Sequence, residues 1–116
     1  MANPVVWFEV AGKDPGALKG FYGDLFEWKL EDMEQMPYTI VDPGGENGLR
    51  GGIGGDPSGG GGHVTFYVAV DDLEGSLAKA EGLGGRKLTD PIDIPDGRIA
   101  HFADPEGHMV GLLSSN

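Results

Sequence analysis

The chain has 116 residues, 39% of them hydrophobic and 23% charged, which suits one soluble domain with a single core. It has no cysteine, so disulfide and thiolate chemistry are excluded. Nineteen acids against eight bases give a formal net charge of −11 with no Lys/Arg cluster, and nucleic acid, which needs a basic footprint, is excluded as a partner.

Val5 to Val10 reads as a strand. Asp14 is placed to cap a helix with Pro15 at its first position, where the missing N–H costs nothing. From there Leu18, Phe21, Tyr22, Leu25 and Phe26 recur at helical spacing and predict one apolar stripe. Tyr38 to Val41 is a strand stopped by Asp42-Pro43-Gly44-Gly45, and Leu49 to Ile53 is a glycine-weakened strand. Gly54 to Gly62 reads as a mobile linker between a first module, 1–53, and a second, 63–116, within one domain. It is not a phosphate loop, because no Gly-Lys-Ser/Thr closes it and a strand rather than a helix follows.

The second module repeats the plan. Val64 to Val70 is a strand, Asp71 or Asp72 caps a helix carrying Leu73, Leu77 and Ala80, and Gly84-Gly85 ends it. Ile92 to Ile94, Ile99 to Phe102 and Met109 to Leu113 are strands, the last two joined by the turn Asp104-Pro105-Glu106-Gly107. The landmarks recur in order: Val6-Trp7-Phe8-Glu9-Val10 returns as Val64-Thr65-Phe66-Tyr67-Val68, Asp42-Pro43 as Asp104-Pro105, and Gly51-Gly52-Ile53 as Val110-Gly111-Leu112. An internal repeat of this kind fixes architecture before any single residue does. The class is α+β.

Strand side chains alternate between faces. One face collects Val6, Phe8, Val10, Ile40, Val64, Phe66, Val68, Ala100, Phe102, Val110 and Leu112, and is expected to lie under the helices. The other collects Trp7, Glu9, Thr39, Val41, His63, Thr65, Tyr67, His101, Met109 and Gly111. Aromatic walls with a few convergent polar groups describe a small-molecule site.

The segments Phe21-Tyr22-Gly23-Asp24-Leu25-Phe26-Glu27-Trp28 and Phe102-Ala103-Asp104-Pro105-Glu106-Gly107, with the paired modules, resemble the vicinal-oxygen-chelate superfamily of glyoxalases, bleomycin-resistance proteins and extradiol dioxygenases. The resemblance implies two βαβββ modules forming an open eight-stranded mixed sheet or barrel around a cavity, with the helices outside. The edges of each module's sheet invite dimerisation, so a homodimer is expected, with the two modules closing within one chain or swapped between two, and the expected location is the cytoplasm. Neither a leader nor a stretch of ~20 apolar residues suggests export or a membrane.

Metal-bearing members carry His or Glu on the first and last strand of each module. The matching positions here are Trp7, Thr65, Gly52 (or its neighbour Gly51) and Gly111, which supply almost no donor set for a divalent ion. The expectation is therefore no metal and no cofactor. The candidate ligand-binding residues are Trp7, Arg50, His63, Thr65, Tyr67, His101 and Gly111, around an aromatic or cationic small molecule. Glu9 and His101 are candidate acid/base groups if the protein is instead a metal-independent isomerase- or lyase-type enzyme. Glu9 is otherwise expected simply to pair with Arg50 across the barrel, the somewhat favoured of its two roles. A third reading is a metal-dependent enzyme with a displaced site of Glu9, His63 and His101. His108 is expected to face solvent.

Overall fold

The first helix begins where the sequence dictates. The Asp14 side chain accepts the Ala17 N–H and Pro15 opens α1 (Pro15–Phe26), which follows β1 (Val5–Gly12). The computed structural model describes residues 2–45, 48–56 and 60–115. After α1 come β2 (Lys29–Asp32), β3 (Tyr38–Asp42) and β4 (Gly51–Gly55); then β5 (His63–Ala69), α2 (Leu73–Gly82), β6 (Arg86–Lys87), β7 (Ile92–Ile94), β8 (Gly97–Ala103) and β9 (Met109–Ser114). The chain forms two compact units, Trp7–Val64 and the remainder on either side of it. The first unit is a βαβββ arrangement and the other has four strands, two of them short, after its helix, so the protein is α+β.

In the unit spanning Trp7–Val64, β4 runs parallel to β1 and antiparallel to β3, and β2 closes the edge beside β3. Val10, Val41 and Ile53 form its buried core, with Phe8, Leu18, Tyr22, Trp28 and Leu30 packed against them. Val41, expected on the open face, thus lies under α1, and so does buried Thr39, whose hydroxyl donates to Asp32. Ile40, expected under the helix, faces the other way. The register explains the reversal: β3 pairs Val41 with Gly51 and Ile40 with Gly52, while β1 pairs Phe8 with Gly51 and Glu9 with Gly52. Val41 therefore shares a side with Phe8, and Ile40 with Glu9.

Only Leu18 and Tyr22 of the predicted α1 stripe meet the core, while Phe21, Leu25 and Phe26 remain exposed. Gly54 and Gly55 belong to β4 rather than to a linker. Beyond them the Asp56 N–H donates to the Gly12 carbonyl and the Gly62 N–H to the Asp56 carboxylate. Pro57, Ser58 and Gly59 lie outside the described residues.

In the other unit, β9 runs parallel to β5 and antiparallel to β8, and β6 and β7 both pair with β8. Asp72, not Asp71, caps α2, accepting from Gly75 N–H, and the helix ends at Gly82 with Leu83 after it, before Gly84-Gly85. Leu73 and Leu77 are buried against Ala100 and Leu112, with Val68, Val70 and Phe102 around them. Phe66, grouped with this face by alternation, is 42% exposed; Val64, at the end of the first unit, is 75% exposed. No helix among the described residues is long and apolar enough to cross a membrane.

Candidate functional site

The glycines of β4 and β9 decide the local geometry. A Cβ on Gly52 would overlap the phenol end of Tyr38, and one on Gly54 would come within 2.8 Å of the same ring. A Cβ on Gly51 would instead strike the Phe8 ring, so Gly52, not Gly51, shares the face of Trp7 and Glu9. In the other unit a Cβ on Gly111 would overlap the Tyr67 ring. Each unit thus lays a tyrosine over a last-strand glycine. Glycine in a strand commonly marks such a close approach.

Tyr38 is the member of this cluster that sequence reasoning missed. Its hydroxyl accepts from Trp7 Nε1–H at 3.0 Å and donates to Glu9 Oε1 at 3.0 Å. The second carboxylate oxygen, Oε2, meets His63 Nε2 at 2.7 Å. A carboxylate only accepts, so His63 must carry its proton on Nε2 toward Glu9. The run is therefore indole N–H to phenol O–H to carboxylate, met from the far side by an imidazole N–H. Burial first, and the Glu9 charge second, push the Tyr38 hydroxyl well above the ordinary phenol range, which keeps it a donor. The available signal was β3 alternation: with Thr39 and Val41 turned to the helix, Tyr38 falls on the side of Glu9. Arg50 lies exposed just before β4, and its carbonyl accepts the Phe8 N–H. Glu9 is held by Tyr38 and His63, not by the expected Arg50.

The second unit builds a smaller cluster by the same rule. Tyr67 and His101 both pair in register with Gly111, which places them side by side. Tyr67 Oη lies 2.7 Å from His101 Nε2, and Thr89 Oγ1 lies 3.3 Å from Nδ1 while accepting the His101 backbone N–H at 2.9 Å. The space expected beside His101 at Gly111 is filled by the buried Tyr67 ring. Buried Thr65 donates its hydroxyl to the Met109 carbonyl. His108 is exposed and sits 3.0 Å from Asp104. Asp104 also accepts the Glu106 and His108 backbone N–H groups, and the latter above all lowers its pKa.

These contacts test the metal that the superfamily resemblance implies. The Trp7 indole and the Thr65 hydroxyl are donors already used, and at Gly52 and Gly111 tyrosine rings stand where a ligand side chain would project. The donor set does not fit a divalent ion. Among the described residues no group of three or more His, Asp or Glu side chains is placed to hold one. Separately, the first unit carries an open cavity of about 310 Å³ between the start of α1 and the β2–β3 turn, edged by Pro15, Lys19, Asp32, Met33 and Met36.

A family model described as a glyoxalase-like domain matches residues 7–113. The Mycobacterium bovis protein CFP32 is 42% identical over 52 residues, 44% of this chain and 20% of that protein. The anthracycline biosynthesis protein DnrV of Streptomyces peucetius is 30% identical over 118 residues, 87% of this chain and 43% of that protein. The chain therefore spans less than half the length of these relatives. Methylmalonyl-CoA epimerase from Mycobacterium tuberculosis superposes with a TM-score of 0.65 at 15% identity, covering 95% of this chain and 86% of that one. That likeness concerns the fold.

Proposed function

Because this chain belongs to the glyoxalase-like domain family, we propose that it is a small-molecule-binding protein that works without a resident metal ion. The observation that carries the reading is the Trp7–Tyr38–Glu9–His63 run. It offers an aromatic plate beside a carboxylate and an imidazole, with Trp7 on a position where metal-bearing relatives of the fold would need a ligand and the Tyr38 ring over a second, Gly52. Such a surface suits a planar molecule with a cationic or hydrogen-bonding edge. The kinship with a protein of anthracycline biosynthesis supports a polycyclic aromatic ligand. Tyr67 and His101 present a phenol and an imidazole in the other unit, and belong to the same reading as candidate polar contacts. The protein acts as a homodimer in the cytoplasm.

The test is calorimetric titration of an anthracycline into protein stripped with EDTA. Binding should survive the chelator, and Trp7→Ala should weaken it by about 3- to 10-fold, the worth of one aromatic contact. Binding that appears only when a divalent ion is added back would refute the proposal.

A second reading, a metal-independent acid–base enzyme, draws on the direct Glu9–His63 and Tyr67–His101 hydrogen bonds. It expects a turnover limb between pH 5 and 8 that His101→Ala abolishes while ligand binding is largely spared. Unchanged turnover in that variant would remove His101 as the base.

A further inference from the structure

We propose that Tyr38 is a positioning residue that holds the Glu9 carboxylate, and through it His63, in the orientation the ligand meets, with Gly52 as its seat. The inference rests on the reading of Glu9 and His63 as ligand-facing groups. It adds a residue and a class of ligand group to that reading. A carboxylate on a flexible side chain is oriented only when both oxygens are tied, and here the two ties are different: Tyr38 O–H on Oε1 and His63 Nε2–H on Oε2. Removing the first unties Oε1 from the phenol and leaves the carboxylate less firmly oriented.

Tyr38 is itself fixed from three sides. Trp7 Nε1–H donates to its oxygen, and its ring lies across the backbone of Gly52 and Gly54, where no other residue type would leave room. The consequence for recognition follows from proton placement. Nε2–H is committed to Glu9, so in the neutral form of the imidazole the lone pair lies on Nδ1. His63 is then a hydrogen-bond acceptor toward a ligand, and the group it selects is an O–H or N–H donor such as a phenol, an enol or an amine. An ether or ester edge of equal shape lacks that proton and is discriminated against.

The experiment is NMR on full-length protein without ligand, so its outcome is independent of whether an anthracycline binds. In the wild type the His63 Nε2–H proton should be observable, and the Trp7 indole N–H should exchange slowly compared with that of Trp28. Tyr38→Phe keeps the ring over Gly52 and Gly54 and removes only the hydroxyl. It should shift and broaden the His63 signal, whose partner Oε2 is now less firmly oriented, and speed Trp7 indole exchange by about tenfold or more, the worth of a hydrogen bond in this network. Glu9→Ala supplies the reference for complete loss of the His63 signal. A His63 proton that persists unchanged in Tyr38→Phe, or that is absent from the wild type, overturns the inference. Failure of anthracycline binding with the NMR result intact would sink the choice of ligand while leaving the positioning role standing.

Discussion

Gly52→Ala is the smallest change that should dismantle the first unit's polar network. The added methyl points at the phenol end of Tyr38, so the ring must move, and it moves only by releasing both Trp7 and Glu9. Losing a hydrogen bond to a charged group costs about 1.5–3 kcal/mol and a neutral one about 0.5–1.5. Alanine gives back about 0.4–1 kcal/mol by restricting the unfolded chain. The loss wins, leaving a net destabilisation of about 2–3 kcal/mol, on the order of a 10 °C fall in Tm for a domain of this size. Urea unfolding followed by circular dichroism reads it directly. The control is Gly20→Ala: in the middle of α1, an added Cβ meets nothing within 4 Å. There the same substitution should stabilise by about 0.5–1 kcal/mol. Placing Gly52→Ala in a Tyr38→Ala background should abolish most of its cost, since the obstructing ring is gone. A penalty below about 1 kcal/mol, or one that persists undiminished without the ring, would refute the reasoning.

Further outcomes are expected. Tyr38, with its hydroxyl pKa raised in the folded state, stabilises fully below the unfolded phenol value near 10 and loses that contribution as pH climbs beyond it. The absorbance difference at alkaline pH between wild type and Tyr38→Phe should show one phenol that ionises only as the protein unfolds. Asp104, its pKa lowered chiefly by the His108 backbone N–H, stabilises above about pH 4 and loses that support as acid carries the pH through its depressed folded value. Asp104→Ala should flatten the acid limb of an unfolding curve. Leu73→Ala, at the 1% exposed first residue of α2, should cost about 2–5 kcal/mol in denaturant titrations.

The repeat, the Asp14 cap and the βαβββ order were legible because they rest on periodicity and on turn residues whose chemistry is local. β2 was not legible: Lys29-Leu30-Glu31-Asp32 carries one apolar residue, and β6 is Arg86-Lys87. Charged edge strands look like loops because their charges serve to keep the edge unpaired. The phase of β3 was lost for another reason. A five-residue strand ending in Asp42-Pro43 fits either parity, and only its pairing with β4 chooses between them. That one step turned Thr39 and Val41 to the core and concealed Tyr38. At the site, Trp7, Glu9, His63, Tyr67 and His101 were nominated individually, but their partners were not. A glycine in a sequence reads as missing matter. Whether a neighbour fills the space depends on register, which Gly52 and Gly111 do not encode by themselves.

The β4 run Gly51-Gly52-Ile53-Gly54-Gly55 has a consequence for how this chain can vary. Once an aromatic ring has settled on a bare stretch of backbone, any larger residue appearing there meets an occupant instead of an opening. A side chain at position 52 would need the ring at position 38 to move or be replaced first. The seat therefore constrains substitution: side chains can vary around the phenol more readily than beneath it.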